Sequence, residues 1–366
     1  MEKLMRAPSR YVQDKDVILK MKDHTTMLGD SFYIIASKTA MKVTRPKIEK
    51  SFEETDVKLV FETFNGESSK GEINRIRDLV KENGSNVIVG VGGGKTIDTA
   101  KAVAYFEKLP IVIIPTVTAT DAPCTALSVI YTDEGEFSEY LFYPTNPDVV
   151  MVDTAVVANA PARFLVDGMG DALGTYFEAR ACLRSNSPSL AFGGITQAGF
   201  ALTKLCYETL LEYGYEALLA VEKKVVTPAV EKIVEAATYL SGVGAENGGL
   251  AAAHSIYNGF TVLEECEYTS HGRLVAFGTL VQLVLEGSPT EEIEEVIDFC
   301  LSVGLPITLE EVGTKEIDGK KLMKASKVAC AEGESIHHIL GGVTPEQLFD
   351  AIIATDNLGK HYKDLI

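Results

Sequence analysis

The stretch "GVGGGKTIDTAKA", Gly90 to Ala102, places three consecutive glycines and a lysine between a strand-like run and a helical pattern. Glycines let a backbone approach a ligand closely, and the N–H groups at a helix start attract phosphate. The stretch fits neither common phosphate-binding pattern, because Val89 and Lys95 stand where those patterns need glycine. A tight turn without a ligand is the alternative. Three consecutive glycines lose much conformational entropy on folding, a cost that a plain turn does not require. We therefore expect a phosphate-bearing ligand.

Two of the six histidines lie in segments that make them candidate metal ligands. His254 follows the small residues "GGLAAA", and His271 comes just before another predicted helix. Asp171 lies in "DGMGDAL", near the start of the predicted second domain. Imidazole and carboxylate groups are metal ligands. From the spacing alone, ordinary core or surface histidines and a helix-capping aspartate are the more common interpretation.

Up to about residue 155 the chain alternates β-branched runs with amphipathic segments, which predicts a mainly parallel sheet covered by helices. The segment 72–84 has apolar residues at helical spacing and stops at Asn83-Gly84. Residues 131–143 predict a hairpin that turns at Asp133-Glu134-Gly135. The predicted strands are 32–37, 57–64, 86–91, 111–116 and 148–153.

Beyond "NAPARF" (159–164) the β-branched runs give way to long helical patterns, such as 228–244 and 290–304. We therefore predict an α/β domain over residues 1–160 and an all-α domain over residues 161–366.

Composition excludes several classes of function. The 366 residues carry a net charge of −18, from 34 basic and 52 acidic side chains, which disfavours nucleic acid and anionic membranes as partners. No run of eighteen apolar residues predicts a membrane span, and the N-terminus lacks the apolar core of a signal peptide, so we expect a cytoplasmic protein. Six cysteines without a C-x-x-C pair argue against disulfides and thiolate zinc sites.

A second block, "PTVTATDAPCTALSVIY" (115–131), follows the next predicted strand. With "GGGKTIDTAK" it resembles the glycerol dehydrogenases of the iron-containing alcohol dehydrogenase superfamily. The resemblance continues through "LSGVGAENGGLAAAHSIYNGFTVL" and "HGRLVAFGTLVQLVLE" and covers nearly the whole chain. It implies a dehydroquinate synthase-like architecture, in which residues 1–160 form a Rossmann-like dinucleotide-binding domain and residues 161–366 form the helical metal- and substrate-binding domain. It also implies a homo-oligomer, for which the family suggests an octamer.

The resemblance also implies site residues. Gly94 and Lys95 would hold the cofactor's pyrophosphate, and Asp121 would meet the substrate hydroxyls. At Ser37 the family usually places an aspartate that binds the adenosine ribose, so NADP is possible beside NAD. The other expected cofactor-binding positions are Thr116, Ala119 (where a serine is common), Thr125, Leu127 and Tyr131.

By the same resemblance, Asp171, His254 and His271 would bind one zinc ion per chain. Two imidazoles and one carboxylate suit Zn²⁺ and leave a fourth position for substrate or water. Iron-type relatives generally add a histidine four residues after the aspartate, where this chain has Thr175. We therefore favour Zn²⁺ over Fe²⁺.

The implied function is reversible, NAD-linked oxidation of glycerol to dihydroxyacetone. Ala245 and Tyr257 stand where the family commonly has an aromatic residue and a second histidine, so another vicinal diol or a hydroxy acid is an alternative substrate. A dehydroquinate synthase-like lyase is a less favoured alternative function, because its substrate needs a cluster of basic residues. A non-catalytic nucleotide-binding module would not need the three metal-ligand candidates.

Overall fold

The computed structural model describes residues 1–315 and 318–365. These residues form two compact units. The first, here called the sheet unit, contains Arg6–Phe164 and Leu219–Gly242; the second, the helical unit, contains Met1–Met5, Leu165–Leu218 and the chain from Val243 onward. The division at residue 160 stays a prediction about folding units, and the contacts add that Leu219–Gly242 packs with the sheet.

Six strands form a parallel sheet in the order β1-β8-β5-β4-β2-β3. The five predicted sheet strands are confirmed to within one residue at each end, whereas the edge strand β1 was not predicted. An α/β fold with a helical remainder is thereby confirmed. The strands are β1 Arg10–Asp14, β2 Ser31–Ala36, β3 Lys58–Thr63, β4 Val87–Gly92, β5 Ile111–Pro115, β6 Leu127–Tyr131, β7 Phe137–Phe142 and β8 Val149–Asp153.

The inner strands are continuous apolar runs because both of their faces are covered. Every residue of β2, β4, β5 and β8 is buried, whereas the edge strands β1 and β3 are half-exposed. Side chains such as Phe32, Ile34, Val89, Ile114 and Met151 form one core cluster. Each contributes roughly 1.5–3 kcal/mol by leaving water.

The predicted hairpin is confirmed: β6 and β7 pair antiparallel in a separate two-stranded sheet. Gly135 adopts φ +90° in the turn, a conformation that glycine reaches without strain. The hairpin therefore follows directly from the Asp-Glu-Gly signal.

Helix ends follow from local capping residues. Ser69 accepts a hydrogen bond from the N–H of Glu72 at the start of α3, and Gly84 ends that helix with φ +65°. The predicted helix at 228–244 is interrupted by a π-helical turn at Ala236–Leu240. The helices are α1 Met21–Thr25, α2 Lys38–Ser51, α3 Lys70–Asn83, α4 Gly94–Glu107, α5 Thr154–Asn159, α6 Arg163–Ser185, α7 Gln197–Glu222, α8 Pro228–Glu235, α9 Ser241–Gly248, α10 Ala252–Phe260, α11 His271–Leu285, α12 Thr290–Val303, α13 Gly319–Ala329 and α14 Pro345–Asp364.

In the helical unit, α6 and α11 cross with their backbones in contact. A Cβ on Gly272 of α11 would lie 1.7 Å from the carbonyl oxygen of Asp167, and one on Gly170 would lie 2.4 Å from the oxygen of Gly272. Only glycine allows so close an approach. Phe260 of α10 and Phe277 of α11 belong to the core of this unit. Among the described residues, every helix is too short or too polar to cross a membrane.

Candidate functional site

The glycine stretch lies where β4 passes into α4, at the carboxyl edge of the parallel sheet. Gly92 has φ +155°, and a Cβ there would lie 2.9 Å from the hydroxyl of Thr96. Gly93 is the N-cap residue and Gly94 begins the helix. The free N–H groups of this first turn form an anion-binding position. The structure thus confirms a strand, a glycine turn and a helix start at this position, and phosphate binding stays a prediction.

Lys95 and Tyr131, both predicted cofactor residues, lie together beside this loop. The ammonium of Lys95 lies 4.9 Å from the centre of the Tyr131 ring and donates a hydrogen bond of 2.7 Å to Glu67. The N–H of Thr116 donates to the carbonyl of Gly92 at 3.0 Å. The structure therefore places Lys95, Thr116 and Tyr131 around one loop, and adds Glu67 as a partner that the sequence did not suggest.

The segment with the other predicted cofactor residues is fixed by a buried lysine. The ammonium of Lys101, on α4, donates to the carbonyl oxygens of Ala122 and Leu127, at 2.6 Å and 2.8 Å. It also lies 3.3 Å from the hydroxyl of Thr125. A buried ammonium is stable when several oxygens replace its water. Lys101 was missed because a lysine on a helix usually faces solvent.

Asp98, one turn before Lys101, is the other buried charge of α4. Its Oδ2 accepts from the N–H of Val129 at 3.2 Å, and its Oδ1 lies 3.9 Å from the Lys101 ammonium without a hydrogen bond among the described residues. Burial raises the pKa of Asp98 to about 6, although Lys101 and the Val129 bond oppose the shift. The folded protein therefore holds this proton more tightly than the unfolded chain does.

We expect Asp98→Asn to change how stability depends on pH. The stability that comes from this raised pKa is full below about pH 4 and is lost as the pH rises through about 6. Asparagine cannot titrate, so the variant's unfolding free energy minus that of the unmodified protein should rise by roughly 2 kcal/mol from about pH 4.5 to about pH 7.5. Urea unfolding of both proteins at the two pH values measures this difference. Asp78→Asn, on the exposed side of α3, is the control, and a pH-independent difference for Asp98→Asn would contradict the prediction.

Asp121, the predicted substrate-orienting residue, is held by a residue far away in sequence. Its Oδ2 accepts a hydrogen bond of 2.9 Å from the hydroxyl of Ser241. A Cβ on Gly242 would lie 2.6 Å from the carbonyl oxygen of Asp121, so a glycine is needed for this approach. No sequence motif indicated that Ser241 holds the side chain of Asp121.

The three predicted metal ligands converge in the helical unit. One ligand atom from each of Asp171, His254 and His271 lies within 4.8 Å of the other two. Asp171 Oδ1 is 3.4 Å from His254 Nε2 and 3.0 Å from His271 Nε2. Zinc bonds of 2.0–2.2 Å in a tetrahedron place neighbouring ligand atoms about 3.3 Å apart. These residues therefore fit a tetrahedral divalent ion with one position left for another ligand.

The electrostatics of the three residues also suit a cation. Burial alone would raise the pKa of Asp171, but His271 and His254 together outweigh burial and lower it. Burial alone would lower the pKa of His254, but Glu178 and Asp171 raise it well above its ordinary value. The carboxylates therefore stabilise positive charge here, either as protons or as a metal that displaces them.

Two neighbours complete the surroundings of the histidines. Glu178, which the sequence reasoning missed, lies 2.6 Å from His254 Nδ1. The Tyr257 ring meets the His271 ring edge-on, with centroids 4.2 Å apart. Glu178 follows Asp171 by two helical turns, so that shared helix face was the signal that could have found it.

The remaining predicted residues lie in loops beside the sheet. Ser37 directly follows β2, and its hydroxyl accepts from the N–H of Ala40 at 3.3 Å, so it caps α2. Ala119 lies between β5 and the short 3₁₀ turn Ala122–Cys124. Cofactor contacts at both positions stay predictions.

Comparisons with known proteins find similar chains along the whole sequence. The family described as "Iron-containing alcohol dehydrogenase" matches residues 8–154. The chain is 52% identical to a glycerol dehydrogenase of Citrobacter freundii over 99% of both chains. It is 43% identical to a glycolaldehyde reductase of Halobacterium salinarum over 100% of both. The solved structure of a Schizosaccharomyces pombe glycerol dehydrogenase superposes with a TM-score of 0.96 at 38% identity, covering 100% of this chain and 93% of the other.

Proposed function

Since this chain belongs to the glycerol dehydrogenase family and is a polyol dehydrogenase, we propose that it oxidises glycerol reversibly to dihydroxyacetone with zinc and NAD. The observation that carries this proposal is the convergence of Asp171, His254 and His271. Two imidazoles and a carboxylate at tetrahedral spacing favour Zn²⁺, with Fe²⁺ as the weaker alternative.

Each residue has a distinct part in the proposed reaction. Asp171, His254 and His271 would hold the metal, which when bound supplies Lewis acidity to a substrate hydroxyl. Asp121, oriented by Ser241, would accept a hydrogen bond from a substrate hydroxyl. We expect vicinal diols to be preferred over simple alcohols, because a substrate anchored through two hydroxyls is held in a single orientation.

The cofactor would bind at the carboxyl edge of the sheet. The first turn of α4 and Lys95 would hold the pyrophosphate, so Lys95 would exchange its bond to Glu67 for one to the phosphate. Thr125 and Leu127, in the segment that Lys101 fixes, would line the path of the adenosine and the nicotinamide ribose. The hydride chemistry belongs to the nicotinamide.

A second candidate activity is the reduction of a small hydroxyaldehyde, because the Halobacterium salinarum relative carries that function in its name. A substrate panel distinguishes the two. Oxidation of glycerol, 1,2-propanediol, 2,3-butanediol and hydroxy acids, and reduction of glycolaldehyde, should be compared by kcat/KM with both nicotinamide cofactors. Glycerol at or near the top supports the proposal, whereas a glycerol kcat/KM far below that of glycolaldehyde reduction rejects it.

We expect NADP to be tolerated more than in relatives that have aspartate at the position of Ser37. An aspartate accepts bonds from the ribose 2′-hydroxyl and repels the 2′-phosphate, whereas serine offers only a neutral bond and Lys38 adds positive charge. Charge-assisted and neutral bonds differ by roughly 1 kcal/mol, and repulsion of the 2′-phosphate by aspartate adds to this difference. Ser37→Asp should therefore raise the preference for NAD by about ten- to a hundredfold. The measurement is kcat/KM with each cofactor.

Ser37→Asn is the matched control for this experiment. Serine, asparagine and aspartate are all good N-cap residues, so each can replace the bond that Ser37 makes to the N–H of Ala40. Asparagine has the size of aspartate without its charge and should leave the preference unchanged. A protein that already rejects NADP a thousandfold would show that another residue selects the cofactor.

Assembly and location also belong to the proposal. A homo-oligomer, suggested by the family as an octamer, and a cytoplasmic location stay predictions from the sequence. Light scattering of the purified protein tests the first of them.

A further inference from the structure

The first turn of α10, which contains His254, is capped from outside its own sequence. Ala251, the N-cap residue, has no polar side chain, yet the first four N–H groups all have side-chain acceptors. Glu178 Oε1 accepts from Ala251 and His254 at 2.9 Å and 3.0 Å. Gln282 Oε1 accepts from Ala252 and Ala253 at 3.0 Å and 3.1 Å. Two fully buried side chains, from α6 and α11, therefore fix this turn.

Glu178 differs from Gln282 in what its second oxygen does. Glu178 Oε2 lies 2.6 Å from His254 Nδ1, whereas the amide of Gln282 donates to Glu286 at 2.8 Å. A carboxylate oxygen accepts, so the proton of a neutral His254 belongs on Nδ1. The lone pair is then on Nε2, the atom that lies 3.4 Å from Asp171. A metal can bind only at that lone pair.

We propose that Glu178 is a positioning residue for the metal site. It holds the backbone of His254 through Oε1 and selects, through Oε2, the imidazole tautomer that can bind a cation together with Asp171 and His271. A hydrogen bond from the remote nitrogen of a metal-binding histidine fixes the ring and raises its basicity. The inference rests on the proposed metal site and concerns a residue outside the three ligands.

A purely structural cap would behave differently when the carboxylate becomes an amide. In Glu178→Gln the amide oxygen can still accept from the two backbone N–H groups. The amide nitrogen would then face His254 Nδ1 as a donor, which requires the imidazole proton to move to Nε2. An amide cannot accept at both ends, so the cap survives only at the expense of the metal-binding tautomer.

The test compares Glu178→Gln with Gln282→Ala in full-length, metal-stripped protein. Zinc affinity is measured by competition with a chromophoric chelator, apoprotein stability by thermal unfolding, and ligand geometry by the visible spectrum after Co²⁺ addition. We expect Glu178→Gln to bind zinc about 10- to 100-fold more weakly and to alter the Co²⁺ spectrum, with little change in apoprotein unfolding. Gln282→Ala, which removes a cap from the same turn, should lower the unfolding temperature and leave zinc affinity within about threefold.

The outcomes separate this proposal from the metal site itself. If the unmodified protein binds no zinc, the proposed metal site is rejected, and the positioning role of Glu178 is rejected with it. If that protein binds zinc and Glu178→Gln binds it equally well, the positioning role alone is overturned. Glu178→Asp is the second variant: its shorter carboxylate cannot reach both His254 nitrogens, so unchanged zinc affinity there also overturns the role. If neither variant folds, Glu178 is a structural cap and the positioning role is rejected.

Discussion

Replacing His271 with alanine is expected to remove both the bound metal and turnover with every alcohol substrate. The loss of one of three protein ligands leaves Asp171 and His254, which cannot hold zinc in a defined geometry. Lewis-acid activation contributes several kcal/mol to such reactions, so kcat should fall roughly a thousandfold or more. The measurements are metal content by elemental analysis and kcat with glycerol.

His271 is the most informative ligand to replace because its side chain is 29% exposed, against 2% for Asp171. Alanine there leaves the smallest internal defect, so lost activity reflects lost metal rather than unfolding. His361→Ala, on the exposed side of α14, is the matched control and should keep full activity. A His271→Ala protein with its full metal content and normal turnover would falsify the assignment of all three ligands.

The substitution Gly272→Ala is expected to impair the same site although it replaces none of the three ligands. Its methyl group would lie 1.7 Å from the carbonyl oxygen of Asp167 and 3.1 Å from the nitrogen of Asp171, so α11 must move away from α6 by about 1 Å or more. His271 and Asp171 lie on opposite sides of that contact, and zinc sites tolerate only about 0.2 Å. We expect kcat/KM to fall about a hundredfold, with overpacking costing about 1–3 kcal/mol of stability.

The control for Gly272→Ala is Gly319→Ala, where the new methyl group would lie 3.9 Å from the Phe349 ring, an ordinary contact. That variant should keep wild-type activity and unfolding temperature. Excess zinc should restore part of the activity of Gly272→Ala, because weakened binding is overcome by concentration. Unchanged kcat/KM and zinc affinity in Gly272→Ala would show that the helix crossing does not set the ligand geometry.

Much of the fold follows from local sequence patterns. Continuous apolar runs predicted the buried strands β2, β4, β5 and β8, since parallel strands are covered on both faces. The edge strand β1, with the sequence "RYVQD", is half-exposed and has no such run. The π-helical turn Ala236–Leu240 has the same apolar spacing as an α-helix, so periodicity could not locate it.

The site residues also fall into those that local sequence predicts and those that only the fold reveals. The glycine loop was predictable because its chemistry is contained in consecutive residues. Glu178, Lys101 and Ser241 were not, because each acts on a residue 21 to 120 positions away that only the fold brings near. The spacing of Asp171 and Glu178 on one helix face was the signal for one of them.

The sheet unit is built from two separate segments of the chain, so it can be completed only late in synthesis. Its segment Leu219–Gly242 supplies Glu231, whose backbone and carboxylate accept hydrogen bonds from Gln13 and Thr154. Arg6–Phe164 is therefore synthesised before Leu219–Gly242, the segment that completes the sheet unit. Until about two-thirds of the polypeptide has been synthesised, these polar groups have water as their hydrogen-bond partner instead of Glu231. A fragment that ends near residue 160 would remain permanently in that unfinished state.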